Sequence, residues 1–96
     1  MSLLDTIQSD MYAAMKSGDK HKSGTLRVAL SKLKDKKIEK REDLTDVEAL
    51  KIIQNLVKQR KEAANIYKEN GRNDLMEIEN DELEILNAYL PQMMSE

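Results

Sequence analysis

The sequence has no cysteine, phenylalanine or tryptophan, and its 96 residues include one histidine, one proline, three glycines and three tyrosines. Without cysteine there is no disulfide framework, no thiolate metal site and no sulfur nucleophile. A single imidazole, His21, cannot build a multi-histidine metal centre, and between Lys20 and Lys22 it reads as an exposed residue. So little glycine and proline excludes fibrous and low-complexity classes. No apolar run approaches the roughly 18 residues of a membrane span. The opening Met1-Ser2-Leu3-Leu4-Asp5 lacks the basic region and apolar stretch of a signal peptide. Together with the absence of cysteine, this leads to the expectation of a cytoplasmic protein. Three tyrosines and no other aromatic leave no stacking platform of the usual kind for bases.

What the chain does have is charge. Lys and Arg number 16, Asp and Glu 18, for a net of −2. Leu, Ile, Val and Phe together make up 22 residues, just above the composition of disordered chains, so the expected core is thin. The length fits one domain. From Lys16 to Arg41 ten bases face three acids, and from Glu69 to Glu96 eight acids face only Arg72. The balance near zero hides two opposed blocks.

Apolar spacing of three and four predicts four helices and no strand, an all-α fold built from two helical hairpins. The first spans about Leu3 to Lys16, with Ser2 as N-cap, Ser17-Gly18 as the stop, and a stripe of Leu4, Ile7, Met11, Ala14 and Met15. The second starts after Asp19 and ends near Lys37 to Lys40; its stripe is Leu26, Ala29, Leu30 and Leu33, continued by Ile38. Ser23-Gly24-Thr25 make its first turns weak, so fraying or a later start at Ser23 stays open. The third, residues 46–69, opens with the capping box Thr45-Asp46-Val47-Glu48, and Leu44 is placed to staple onto Ala49. The fourth runs from 73 or 74 to about Tyr89, with Pro91 ending it.

Arg60 breaks the pattern. Ile53, Leu56, Val57, Ala63, Ala64 and Tyr67 lie at −7, −4, −3, +3, +4 and +7 from it, so it falls within the apolar stripe. A buried unpaired charge is very costly. Glu79 and Glu82 sit in the Leu/Ile stripe of the fourth helix in the same way, and we expect a buried network of Arg60 with one or both. Arg27 is a candidate third member. The network reads as a device that fixes helix register, or else as a polar ligand pocket.

Lys20, Arg27, Lys34 and Arg41 recur every seven residues and drift only about 20° per step around a helix. They form a basic seam, with Lys58, Lys61 and Arg72 as further candidate phosphate contacts. Backbone or shape recognition of structured RNA needs no aromatic stacking; the plain alternative is a solvated face paired with the acidic fourth helix. No Gly-rich phosphate loop, nucleophile motif or metal-ligand spacing is present, so no catalytic, cofactor or metal residue is assigned.

The Lys58-Gln59-Arg60, Gly71-Arg72-Asn73-Asp74-Leu75, Glu82-Leu83-Glu84-Ile85-Leu86 and Tyr89-Leu90-Pro91-Gln92 segments together resemble the GatB/YqeY family. The Met1-Ser2-Leu3-Leu4 opening and Leu26-Arg27 fit as well. The resemblance implies an all-helical module similar to the tail of the B subunit of the glutamine-dependent enzyme that amidates Glu-tRNA or Asp-tRNA. It implies an association with tRNA or a tRNA-modifying complex, and with carbon–nitrogen ligase activity using glutamine as amide donor. Nothing here resembles the amidase Ser/Lys centre or the kinase-like site of that enzyme, so an accessory role without catalysis is expected. Stand-alone members continue into a second, smaller helical domain, which this sequence is expected to lack. The alternative is a helical protein-interaction module that does not bind nucleic acid.

Overall fold

The computed structural model of the chain describes residues 2–90. Four helices carry these residues, with no strand among them: α1 (Leu3–Ser17), α2 (Lys20–Lys40), α3 (Asp46–Glu69) and α4 (Asn73–Asn87). The fold is all-α, as the spacing predicts. Two compact units divide the chain, residues 1–52 and 53–96. Pro91 and Gln92, on which the end of the fourth helix and part of the family resemblance rest, lie outside the described residues, as does Met1.

In the first unit α1 and α2 pack as a hairpin. The Ser2 hydroxyl accepts from the Asp5 N–H at 3.1 Å and caps α1. The chain reverses at Gly18 (φ 82°), a left-handed position that glycine adopts without a Cβ penalty. The Asp19 N–H then reaches back to the Ala14 carbonyl at 2.9 Å, closing a Schellman turn. Asp19 next caps α2, accepting from the Lys22 N–H at 3.1 Å.

That cap lets α2 start at Lys20 in spite of Ser23-Gly24-Thr25. The hydroxyls of Ser23 and Thr25 donate to the Lys20 and His21 carbonyls, so both residues are buried at no cost in unmet hydrogen bonds. Their burial was not expected from the sequence. The hairpin core is Ile7, Met11 and Ala14 of α1 with Leu26, Ala29, Leu30 and Leu33 of α2. Leu26 and Leu33 are fully buried, each worth about 1.5–3 kcal/mol by area removed from water.

Two expected core residues are corrected. Met15 is 48% exposed and Ile38 is 74% exposed. Met15 follows Ala14 by one residue, about 100° further around the helix, so only one of the two can point straight inward. Ile38 lies five residues beyond Leu33, outside the three- and four-residue spacings that continue one face.

Helix α2 ends with Arg41 in the left-handed region (φ 63°), the only non-glycine there among the described residues. Its N–H bonds to the Lys37 and Ile38 carbonyls, which secures the cap. The loop leads into a reciprocal capping box. The Glu48 N–H donates to Thr45 Oγ1 at 3.1 Å, and the Thr45 N–H donates to Glu48 Oε1 at 2.9 Å. Leu44 is half-buried and Ala49 buried, as a staple requires. Asp46 Oδ1 accepts the otherwise orphan Leu3 N–H at 3.3 Å, tying the first turn of α3 to the start of α1.

In the second unit the rest of α3 joins α4 through Asn70-Gly71-Arg72. The turn repeats the device at Gly18: Gly71 sits at φ 73°, and the Arg72 N–H returns to the Tyr67 carbonyl at 2.8 Å. Ile53, Leu56, Val57, Ala64 and Leu86 are buried. Helix α4 stops at Asn87, two residues short of Tyr89. There the Tyr89 and Leu90 N–H groups bond three residues back, to the Leu86 and Asn87 carbonyls, a tightening of the last turn.

Candidate functional site

Two groups of charged side chains stand out, one in each unit. In the second, α3 presents Arg60 toward α4. Arg60 Nε donates to Glu82 Oε1 at 2.9 Å and lies 3.8 Å from Glu79 Oε1. Because Glu79 and Glu82 are three apart, they share a face and converge on one guanidinium. The expected burial needs correction: the three side chains remain 19–24% exposed. With that share of each side chain still in water, the desolvation cost is partial. Ile78, one turn before Glu82, is 45% exposed, so the α4 stripe is narrower than the spacing implied. Arg27 sits in the first unit, exposed, with Nη2 at 4.0 Å from Met15 Sδ.

The first unit holds the seam. Helix α2 carries eight Lys and Arg against Asp35 and Glu39. Lys20, Arg27, Lys34 and Arg41 are all exposed. Consecutive members are about 10.5 Å apart along the axis at 1.5 Å per residue. Lys20, Lys34 and Arg41 form no ion pair among the described residues, whereas Lys36 pairs with Glu39 at 2.9 Å and Lys37 with Asp43 at 3.3 Å. The seam cations are thus left to solvent, as are Lys22 and Lys32 on the same helix.

In the second unit Lys58 and Lys61 are exposed on α3, and Arg72 is exposed just before α4 with Nε 3.5 Å from Asp74 Oδ1. The Leu75 N–H, and after it Arg72, hold the Asp74 carboxyl below the usual aspartate range. Arg72 is therefore partly engaged within its own turn. His21 is exposed.

One interaction had only half a signal in the sequence. Glu48 was expected to cap α3, but it also takes the Lys40 ammonium from the end of α2. Lys40, followed by the Thr45 N–H, brings the Glu48 carboxyl down from 4.5 to about 2. The partner lies eight residues upstream, across a loop, where helical spacing gives no guide.

A family model described as Yqey-like protein matches residues 4–96. The chain belongs to the Yqey-like family. Among curated proteins, this Yqey-like chain is 35% identical over 85 residues to the "Altered inheritance of mitochondria protein 41, mitochondrial" of Eremothecium gossypii, covering 88% of this chain and 46% of that protein. It is 33% identical over 96 residues to the protein of the same name in Lachancea thermotolerans, covering 96% of this chain and 51% of that protein. A protein of Schizosaccharomyces pombe named "Uncharacterized protein C22F3.15" is 29% identical over 94 residues, covering 98% of this chain and 76% of that protein. The Yqey-like chain spans about half the length of the first two relatives. Their names correct the cytoplasmic expectation, because these similar proteins are designated mitochondrial.

Proposed function

We propose that this Yqey-like chain is an accessory module that contacts structured RNA, tRNA first of all, through the exposed basic face of α2. In this reading it performs no amide transfer alone; glutamine-dependent ligation belongs to an enzyme that it accompanies. One observation carries the proposal: four exposed cations at seven-residue spacing, three on a helix with eight bases and two acids and the fourth, Arg41, at its C-terminal cap. Such a row can follow a phosphate backbone without reading bases. The resemblance to an amidotransferase tail directs attention to tRNA, and the names of the relatives make organellar tRNA the pool to test first.

A gel-shift titration with tRNA at two salt concentrations is the test. Four phosphate contacts give a slope of about −3 to −4 in log K against log salt, so each doubling of salt weakens binding about ten-fold. The variant carrying Lys20→Ala, Arg27→Ala and Lys34→Ala should lose most of that slope. Binding indifferent to salt, or to the triple substitution, overturns the reading. A second reading, a protein-docking module, draws on α4, which carries six acids and no base and exposes Ile78. It takes over if no tRNA binds at low salt.

A further inference from the structure

We propose that the groove between the first turns of α1 and the last turns of α2 receives one unpaired nucleotide of an RNA whose phosphates run along α2. This rests on the RNA reading above and gives it a second, non-electrostatic contact. The groove has a volume of about 530 Å³, within the roughly 300–1,000 Å³ of small-molecule sites. Leu4 and Ile38 supply apolar walls.

Ile38 is the key residue. It is 74% exposed, a large β-branched side chain on a helix otherwise dominated by charge. Lys34 lies four residues before it on the same side of α2, and Arg41 lies three after, at the helix's C-terminal cap. Both of those cations belong to the seam, and both also line the groove. A phosphodiester held between Lys34 and Arg41 therefore places its base over Ile38. Lys37 also lines the groove but is engaged with Asp43.

The cations of the groove suit the phosphate and its acids suit the base. Asp5 and Glu42, which line the same groove, give an anion no partner. Carboxylates instead accept hydrogen bonds from exocyclic amino groups, as acidic side chains do from cytosine N4. Gln8 Nε2 donates to the Tyr12 hydroxyl at 3.4 Å, which orients the carboxamide and leaves it one donor and its carbonyl acceptor. Cytosine, adenine and guanine each bring such an amino group, whereas uracil offers these carboxylates only its ring N3–H.

The test compares RNA hairpins of about 12 base pairs, blunt or carrying one unpaired 3′ nucleotide, by fluorescence anisotropy at about 50 mM salt. The added C, A or G should tighten binding about three- to ten-fold, the effect of covering part of Ile38 and gaining one hydrogen bond, and U should do less. Ile38→Ser, at a position too exposed to threaten folding, should abolish that gain and leave blunt-hairpin affinity within about two-fold. Equal binding of blunt and extended hairpins, or a gain that survives Ile38→Ser, overturns the nucleotide site while the seam stands. Failure of every hairpin to bind at low salt removes the seam reading and this one with it.

Discussion

The Arg60 cluster allows the sharpest test of the packing argument. The perturbation is a double-mutant cycle between Arg60→Met and Glu82→Gln. Methionine keeps much of the apolar stem, and glutamine keeps the shape of glutamate, so the cycle isolates the charge-assisted bond. At an effective dielectric constant of about 20 the gross attraction is about 6 kcal/mol at the Glu82 separation of 2.9 Å, against about 4 kcal/mol at the 3.8 Å of Glu79. Partial desolvation and lost side-chain entropy offset most of this. Exposed pairs net about 0–1 kcal/mol, and removing one partner of a buried pair costs about 3–5 kcal/mol. With 19–24% of each side chain in water the cluster falls between, so the expected coupling of Arg60 to Glu82 is about 1–1.5 kcal/mol. Glu79→Gln should cost less than half as much as Glu82→Gln, because Glu79 lies beyond hydrogen-bond distance. Urea unfolding followed by helical circular dichroism measures all four corners, with an unchanged m-value as the control. A coupling below about 0.3 kcal/mol, which is the usual error of additivity, would refute the argument. So would a Glu79→Gln loss larger than that of Glu82→Gln.

Other expectations concern the ends of the helices. The Glu48 carboxyl is depressed from 4.5 to about 2 in the folded chain, so its contribution to stability is complete above about pH 4.5 and lost as pH falls toward 2. Glu48→Gln should therefore lower the urea midpoint at neutral pH, and the gap to the parent should close as the midpoints are followed down to about pH 2; a gap independent of pH contradicts the assignment. Arg41→Gly relieves a left-handed residue at the end of α2 but adds freedom to the unfolded chain, for a net gain of about 0.5 kcal/mol. A loss of stability on that substitution, measured by the same unfolding assay, would mean that the Arg41 side chain holds something its backbone does not show.

Local signals were the legible part of the fold. The Thr45–Glu48 box, the Ser2 cap and the turn at Gly18 each depend on residues within five positions of one another. Their geometry is dictated by chemistry that a sequence displays directly. The convergence of Arg60, Glu79 and Glu82 was readable for a related reason: helical periodicity assigns each to a face, and a charge on an apolar face needs a partner. Ile38 was not readable, because five residues from Leu33 lies between the rotations that keep or reverse a face. Propensity leaves the start of α2 open at Ser23 and Thr25, because it cannot register hydroxyls that satisfy themselves on the preceding turn. The exposure of the α2 cations follows from their charge, but which of them stay out of ion pairs depends on loop residues such as Asp43.

The placement of charge by helix also affects the behaviour of the whole chain in solution. In polymer terms this is a block polyampholyte, with α2 and α4 as oppositely charged blocks. A net of −2 describes the force between two such molecules only at long range. At close range and low ionic strength, the positive block of one molecule meets the negative block of another and they attract in spite of their like net sign. Added salt screens that attraction, so the protein becomes more soluble as ionic strength rises through the physiological range.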